Sequence, residues 1–346
     1  MSQDESVSRA EEGRQGKSVM RGVVSGLLVS SILLAVVLWK LDLQRAWELV
    51  TRTDPQLFAV ALVAAVAGVV VRGLRWVHLA RMAEATGRLY PFSSYAIANT
   101  VNLLAPIRIG DVLRARLSGP GNATFLGLLA AVAIERFVDL VVLFGLLLVS
   151  LSRVPARGEL DAIVPQLILA CLAGAVLLAT VAVAGRMTSG RTGARRWSRL
   201  AGWWATFSQG LDALLRQPVK IAVVALYSFA AWALAIGSLW LTLRSLDVHV
   251  PVAAAALASV LFGVLGVLPS APAFVGTAQA AAVAALWPFH VSAEAAVAAS
   301  LIYQVVFVTS SSLMAAAGFG YLGRARGYSS VLRTLKSANA RALARD

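Results

Sequence analysis

The sequence predicts an all-α, polytopic integral membrane helix bundle with about six full spans plus two re-entrant broken-helix hairpins, in the pattern an inverted repeat would produce. Three observations carry this reading. Apolar residues fill 59% of the 346 positions and the mean hydropathy is +0.76, the composition of a membrane protein rather than a soluble globule. Apolar runs of roughly 20 residues, enough to cross a hydrocarbon core of ~30 Å, recur near 22–39, 56–79, 123–151, 163–185, 219–243 and 294–322. Two further apolar stretches break in the same way, with a Pro four residues before a Gly: Pro106 to Gly110 and Pro272 to Gly276. Pro removes a backbone donor and Gly admits conformations other residues avoid. Such breaks survive in a membrane only where they are buried in protein or line a wet cavity, and a matched pair of them points to a transport site.

Taken in order, residues 1–19 are polar and read as a disordered cytoplasmic N-terminus. Met1 to Lys17 mixes acids with basic residues, and no convincing cleavage pattern follows the first apolar run, so that run reads as a retained span rather than a signal peptide. Residues 20–323 form one transmembrane domain. The first span opens with Gly22 and Gly26 at GxxxG spacing, a common pattern of little weight by itself. Residues 40–55 suit an amphipathic connection, with Trp39 and Trp47 at interfacial depth. The second span ends with Arg72 and Arg75, one turn apart on one face, placed either to snorkel to the cytoplasmic surface or to point inward at an anionic group. Residues 92–118 read as the first re-entrant element: an apolar helix to Leu104, a turn through Pro106, Arg108 and Gly110, then a helix carrying Arg114 and Arg116.

The run 123–151 holds Glu135, Arg136 and Asp139, spaced so that Arg136 and Asp139 can pair along the helix. Three charges inside one span are costly and rarely face lipid. After the fourth span, Trp203 and Trp204 sit in a stretch that reads as an interfacial helix. Apolar runs at 252–268 and 273–287 flank the second break around Pro269, Pro272 and Gly276, and the last span begins near Glu294. The tail 324–346 is basic and reads as cytoplasmic, too short for a catalytic domain.

The net charge of +14 does not mark a nucleic-acid binder, because the basic residues cluster in short segments beside apolar spans. Arg186 to Arg199 carries five arginines and no acid, and the tail adds six more basic residues, whereas Lys40 to Asp54 balances its charges. Both termini are therefore expected in the cytoplasm, with the first hairpin entering from inside and the second from outside. Attraction to anionic lipid is a secondary effect of the same residues.

Catalytic signatures are missing. The single cysteine, Cys171, lies mid-span and forms no intramolecular disulfide or metal cluster. His78, His249 and His290 have no metal-ligand spacing, and there is no nucleophile elbow or P-loop. No cofactor, no metal and no nucleic acid partner is expected. The intramembrane carboxylates could act as acid and base, but their spacing fits ion pairing equally well.

These residues together resemble the transmembrane, flippase-like domain of the lysylphosphatidylglycerol synthase family over about residues 20–325. The resemblance rests on R-x-x-R-W from Arg72 to Trp76, N-x-x-x-P-x-R-x-G-D from Asn102 to Asp111 followed by Arg114, E-R-x-x-D from Glu135 to Asp139, and the Pro-rich break from Pro269 to Gly276. It departs from the family pattern in three places: Ala273 stands for a usual Gly, Gln279 for a usual Glu, and Gln304 for an Arg common in the last span. If that Glu and Arg form an ion pair, two neutral amides replace it here, preserving charge balance and a hydrogen bond.

The resemblance implies a stand-alone member of the family that moves a lipid, such as an anionic phospholipid or a polyprenyl-phosphate-linked substrate, between the leaflets of a bacterial cytoplasmic membrane. It implies no lysyl transfer by this chain alone, since the soluble transferase domain is missing. A non-catalytic partner of an envelope-lipid enzyme and a transferase acting on a lipid-linked substrate are the alternatives. The expected substrate-binding residues are Arg72, Arg75, Asn99, Asn102, Arg108, Asp111, Arg114, Glu135, Arg136, Asp139 and Gln279. Arg108 and Arg114 would hold a phosphate through forked donors, Asp111 could cap the second limb, and Asn99 and Asn102 would satisfy backbone freed by Pro106 or line the cavity.

Overall fold

Short polar side chains open the helices in the manner their sequence positions suggest. Asp42 accepts from the Arg45 amide (3.0 Å) at the start of α1 (Leu43–Thr51), and Asp54 accepts from Gln56 (2.7 Å) and Leu57 (3.2 Å) at the start of α2 (Pro55–Met82), whose first residue is a proline. Thr124 and Ser292 cap α5 (Phe125–Leu151) and α9 (Ala293–Arg326) in the same way. The remaining helices are α3 (Leu89–Leu104), α4 (Gly110–Leu117), α6 (Pro218–Ser245), α7 (Val252–Leu265) and α8 (Thr277–Leu286), with single 3₁₀ turns at Pro272–Phe274 and Trp287–Phe289. This computed structural model describes residues 31, 42–105, 109–118, 122–153, 169, 216–265, 271–327 and 331. The expected spans 22–39 and 163–185, Trp203 and Trp204, both terminal segments, Cys171, Pro106, Arg108 and Pro269 lie outside the described residues.

Among the described residues the fold is all-helical. By length and composition, α2, α6, α9 and the broken segment Pro272–Phe289 can cross a membrane. At 27 residues α5 is also long enough, about 40 Å at 1.5 Å per residue, but it carries the Glu135, Arg136 and Asp139 charges along the way. The last helix runs past the expected end of the domain at residue 323, through Arg324, and stops at Gly327. Cations suit the carbonyl end of a helix, and the φ of 81° at Gly327 ends it.

The pairing of α2 with α6 is the most extensive among the described helices, and it is antiparallel. The Asp54 amide at the start of α2 donates to the Ser245 carbonyl at the end of α6 (2.8 Å). At the other end, His78 of α2 lies 3.2 Å from the Lys220 carbonyl. Between them the Ser238 hydroxyl donates to the Ala61 carbonyl (2.8 Å), and the buried Ala61, Ala65 and Gly68 let the two backbones approach.

This antiparallel pair determines how the hairpins enter. A short connection carries α2 into α3, and another carries α6 into α7. Because α2 and α6 end at opposite faces, α3–α4 and α7–α8 enter the bundle from opposite faces. Both hairpins pack on α9, and α3 touches the Pro272–Phe274 turn, so the first hairpin lies against the second break.

At the first break, Gly110 has no room for a side chain: a Cβ there would run into the Ala98 carbonyl and the Asn102 side chain. Replacing Gly110 with Ala is expected to cost about 1–3 kcal/mol by overpacking, read as a lower unfolding temperature in detergent. Gly320→Ala, where a Cβ meets nothing within 4 Å, is expected to be neutral or mildly stabilising.

Candidate functional site

Six charges from three helices form one closed network. Glu135, 2% exposed, sits midway along α5 and accepts from Arg75 of α2 (2.8 Å) on one oxygen and from Arg114 of α4 (2.7 Å) on the other. Arg75, also 2% exposed, bonds both oxygens of Asp139 and donates to the Ser228 hydroxyl of α6 (2.6 Å). Arg114 lies 3.0 Å from Asp111, stacks over the buried Trp76 ring at 4.3 Å, and is 1% exposed. Arg136 closes the ring through Asp111 (3.0 and 3.2 Å) and, at 38% exposure, is the most accessible member. Its distance to Asp139 is 3.9 Å, so the pairing along α5 expected from spacing is weaker than the pairing across to α4. Three guanidinium groups against three carboxylates leave this network formally neutral.

At the first break, Asn102 holds the two limbs together. Its side-chain oxygen accepts from the Gly110 amide (2.7 Å) and its nitrogen donates to Asp111 (3.4 Å). Asn99 instead reaches α9, donating to the Ser311 hydroxyl (3.0 Å). Helix α4 starts without a side-chain cap at Ile109, and the Asp111 carboxylate in its first turn faces Arg114 and Arg136. The expectation that Asp111 caps the limb is therefore replaced by a bridging role, because the two guanidinium groups compete for the same oxygens.

At the second break, the two glutamines work as a relay. The Gly276 amide donates to Gln279 (2.6 Å), Gln279 donates to Gln304 of α9 (2.9 Å), and Gln304 donates to the Ala273 carbonyl (2.9 Å). Each amide uses its donor and its acceptor; a carboxylate at 279 and a guanidinium at 304 would make the same contacts with the middle bond donated from 304 to 279. Ala273 and Phe274 hold φ of 56° and 59°, and Gly276 holds 87°. The left-handed region costs a non-glycine residue roughly 1–2 kcal/mol, so Ala273 sits where a Gly would be relaxed.

Between the breaks lies a cavity of about 600 Å³. The charge network forms one wall, with Asn99 and Asn102 beside it, and α6, α7, α8, α9 and the Pro272–Phe274 turn supply most of the rest. On that side Phe262, Tyr303 and Phe307 stack in series at 5.8 and 6.5 Å. Arg72 also lines the cavity, with its guanidinium 5.7 Å from the Trp232 ring centre. Of the two readings open for Arg72, the inward one describes this geometry.

Residues 23–337 match the family described as the lysylphosphatidylglycerol synthase TM region. The chain belongs to that family. It is also 32% identical over 158 residues to "Glycosyltransferase AglD" of Haloferax volcanii, a match covering 44% of this chain and 25% of that protein. The chain thus spans about a quarter of the length of the curated relative it matches. No solved structure matches it significantly.

In this member of the lysylphosphatidylglycerol synthase TM family, Arg72, Arg75, Asn99, Asn102, Asp111, Arg114, Glu135, Arg136 and Asp139 all line the one cavity, although they come from four helices. Gln279 lies just behind it, reaching it through Gln304. Arg108 lies outside the described residues. Arg114 is expected from sequence to grip a phosphate, but its guanidinium is committed to Glu135 and Asp111 under Trp76. Spacing did not single out Trp232, Ser228, Ser259, Tyr303, Phe262 or Phe307. One signal was available: Ser228 and Trp232 share a face of α6, and Trp232 lies mid-span rather than at the interface where Trp usually sits.

Two stability predictions follow from this geometry. Glu135→Ala leaves Arg75 and Arg114 buried without their shared partner and is expected to destabilise by about 3–5 kcal/mol, seen as a large drop in unfolding temperature in detergent. Ala273→Gly is expected to raise stability by about 0.5–1 kcal/mol, the relief of the left-handed conformation less the added freedom of the unfolded chain.

Proposed function

We propose that this protein moves an anionic lipid, or an anionic lipid-linked substrate, between the two leaflets without changing it covalently. The observation that carries the reading is the cavity of about 600 Å³ between two oppositely entering broken helices, with ionic groups on one wall and a larger apolar wall that includes aromatic rings. An amphiphile needs both surfaces at once. Paired broken elements converging on one site are the arrangement expected of a carrier that exposes it alternately to the two sides. The distribution of arginines supports a bacterial cytoplasmic membrane location with both termini in the cytoplasm.

Neighbouring groups support a carrier over a catalyst. The carboxylates a transferase would use, Glu135 and Asp139, are each held by Arg75. The name of the Haloferax volcanii relative, a glycosyltransferase, favours a second reading, a transferase acting on a lipid-linked substrate, but the match covers a quarter of that protein.

The test uses purified protein in phosphatidylcholine vesicles containing a trace of phosphatidylglycerol tagged on its acyl chain with a fluorophore that dithionite bleaches from outside. Carrier activity is expected to expose nearly all the label, whereas protein-free vesicles lose only the outer-leaflet share. Bleaching confined to the outer leaflet counts against movement of this lipid. A change in the mass of a lipid-linked sugar acceptor supplied with its donor would favour the transferase instead.

A further inference from the structure

Two polar groups in the cavity stand outside the closed ion network. Arg72 faces the cavity and has no carboxylate or hydrogen-bond partner among the described residues; its contact is the Trp232 ring. With Arg72 added to the three-by-three network, the described residues lining the cavity carry four arginines and three carboxylates, a formal balance of +1. The second group is the Ser259 hydroxyl on α7. It lines the cavity, is 3% exposed, and is the one fully buried hydroxyl without a partner among the described residues. Other buried hydroxyls on these helices return to a carbonyl one turn back, as Ser150 does to Leu146 (2.7 Å), Ser300 to Val297 (2.7 Å) and Thr242 to Ser238 (2.9 Å). Among the described residues Ser259 makes no such bond, and its buried hydroxyl has no protein partner.

The two groups flank the same ring. A Cβ at Gly263 would meet the edge of Trp232 at 2.9 Å, so the Trp232 ring lies on the face of α7 that carries Gly263. Ser259 is one turn back on that face. Phe262, three residues from Ser259, stacks on Tyr303 at 5.8 Å, which brings the Tyr303 hydroxyl to this end of the cavity.

We propose that Arg72 and Ser259, with Tyr303 beside them, form an anion subsite that seats the phosphodiester of a singly charged lipid headgroup against Trp232. The guanidinium supplies the counter-charge and the fork, the serine supplies a neutral donor, and the Phe262–Tyr303–Phe307 stack meets the first carbons beyond the phosphate. The network around Glu135 then builds the wall and contributes no net charge to recognition. This rests on the reading of the cavity as a lipid carrier's site, but binding measured without transport tests it separately.

The experiment measures affinity of the full-length protein in phosphatidylcholine nanodiscs for acyl-labelled phosphatidylglycerol, with acyl-labelled phosphatidylcholine as the neutral probe. Wild type is expected to prefer phosphatidylglycerol by about tenfold, the worth of one charge-assisted contact. Arg72→Gln is expected to remove that preference, Arg72→Lys to retain part of it, and Arg81→Gln, on the exposed end of α2, to leave it intact. Ser259→Ala is expected to weaken phosphatidylglycerol binding by about threefold or more while unfolding temperature stays level or rises, since an unpartnered buried hydroxyl adds nothing to stability. Equal affinity for the two lipids in wild type, or a full preference in Arg72→Gln, overturns the proposal. So does Ser259→Ala with unchanged affinity. Displacement of the lipid by an equal concentration of glycerol phosphate would assign the subsite to a soluble phosphate instead. Binding that behaves as expected while vesicles show no leaflet exchange would leave the subsite standing and remove the carrier function.

Discussion

A carboxylate buried in the middle of a membrane bundle must have its charge answered on the spot, and Glu135 is answered twice. Arg75 arrives from α2 and Arg114 from α4, so one side chain on α5 ties a full span and a re-entrant limb together. The other ionic contacts extend that link. Asp139 takes the second face of Arg75, Asp111 takes Arg114 and Arg136, and Ser228 brings in α6. Burying such charges gains little over an apolar core. What they supply is geometry: a short helix too small to cross by itself is held at one depth and in one rotation by forked, directional bonds.

The two breaks solve the same problem by different chemistry. In both, a side-chain amide accepts the backbone N–H of the glycine that closes the turn: Asn102 for Gly110 and Gln279 for Gly276. Beyond that point they diverge. The first break is locked into the charge network through Asp111, whereas the second is locked to α9 by Gln304 through neutral hydrogen bonds. Nothing in the second relay changes its charge within the physiological pH range, so it holds the Ala273 turn equally well on either face of the membrane. The strained backbone at Ala273 and Phe274 persists because Gln304 over-determines it.

Polarity divides the cavity accordingly. On one side lie paired arginines and carboxylates; on the other lie rings and small residues from α6, α7, α8 and α9. Arg72 and Ser259 sit where these halves meet, each without a hydrogen-bond partner among the described residues. That boundary is where the head and the first chain carbons of an amphiphile would lie.

Much of this was legible in the residues themselves. Hydropathy and the Pro-to-Gly spacing determine an all-helical membrane protein with two broken elements, because hydrocarbon tolerates no unsatisfied backbone except in a protected place. The motifs around Arg72, Asn102 and Glu135 also name nearly every charged residue of the cavity, since charges within apolar runs are too costly to be idle. Partner choice was not legible. Spacing pairs Arg136 with Asp139 along one helix and guanidinium chemistry suits Arg114 to a phosphate, but the fold turns Arg136 toward Asp111 and pairs Arg114 with Glu135. Which charges cancel and which one is left over depends on the antiparallel packing of α2 on α6 and on the depth at which α4 stops. The same holds for Trp232, Ser259 and Tyr303, ordinary residues of apolar helices whose neighbours across the cavity lie many tens of positions away in the chain. The sequence by itself determined the kind of bundle and its stock of charges; only the tertiary structure decided that Arg72 is, among the described residues lining the cavity, the arginine without a carboxylate.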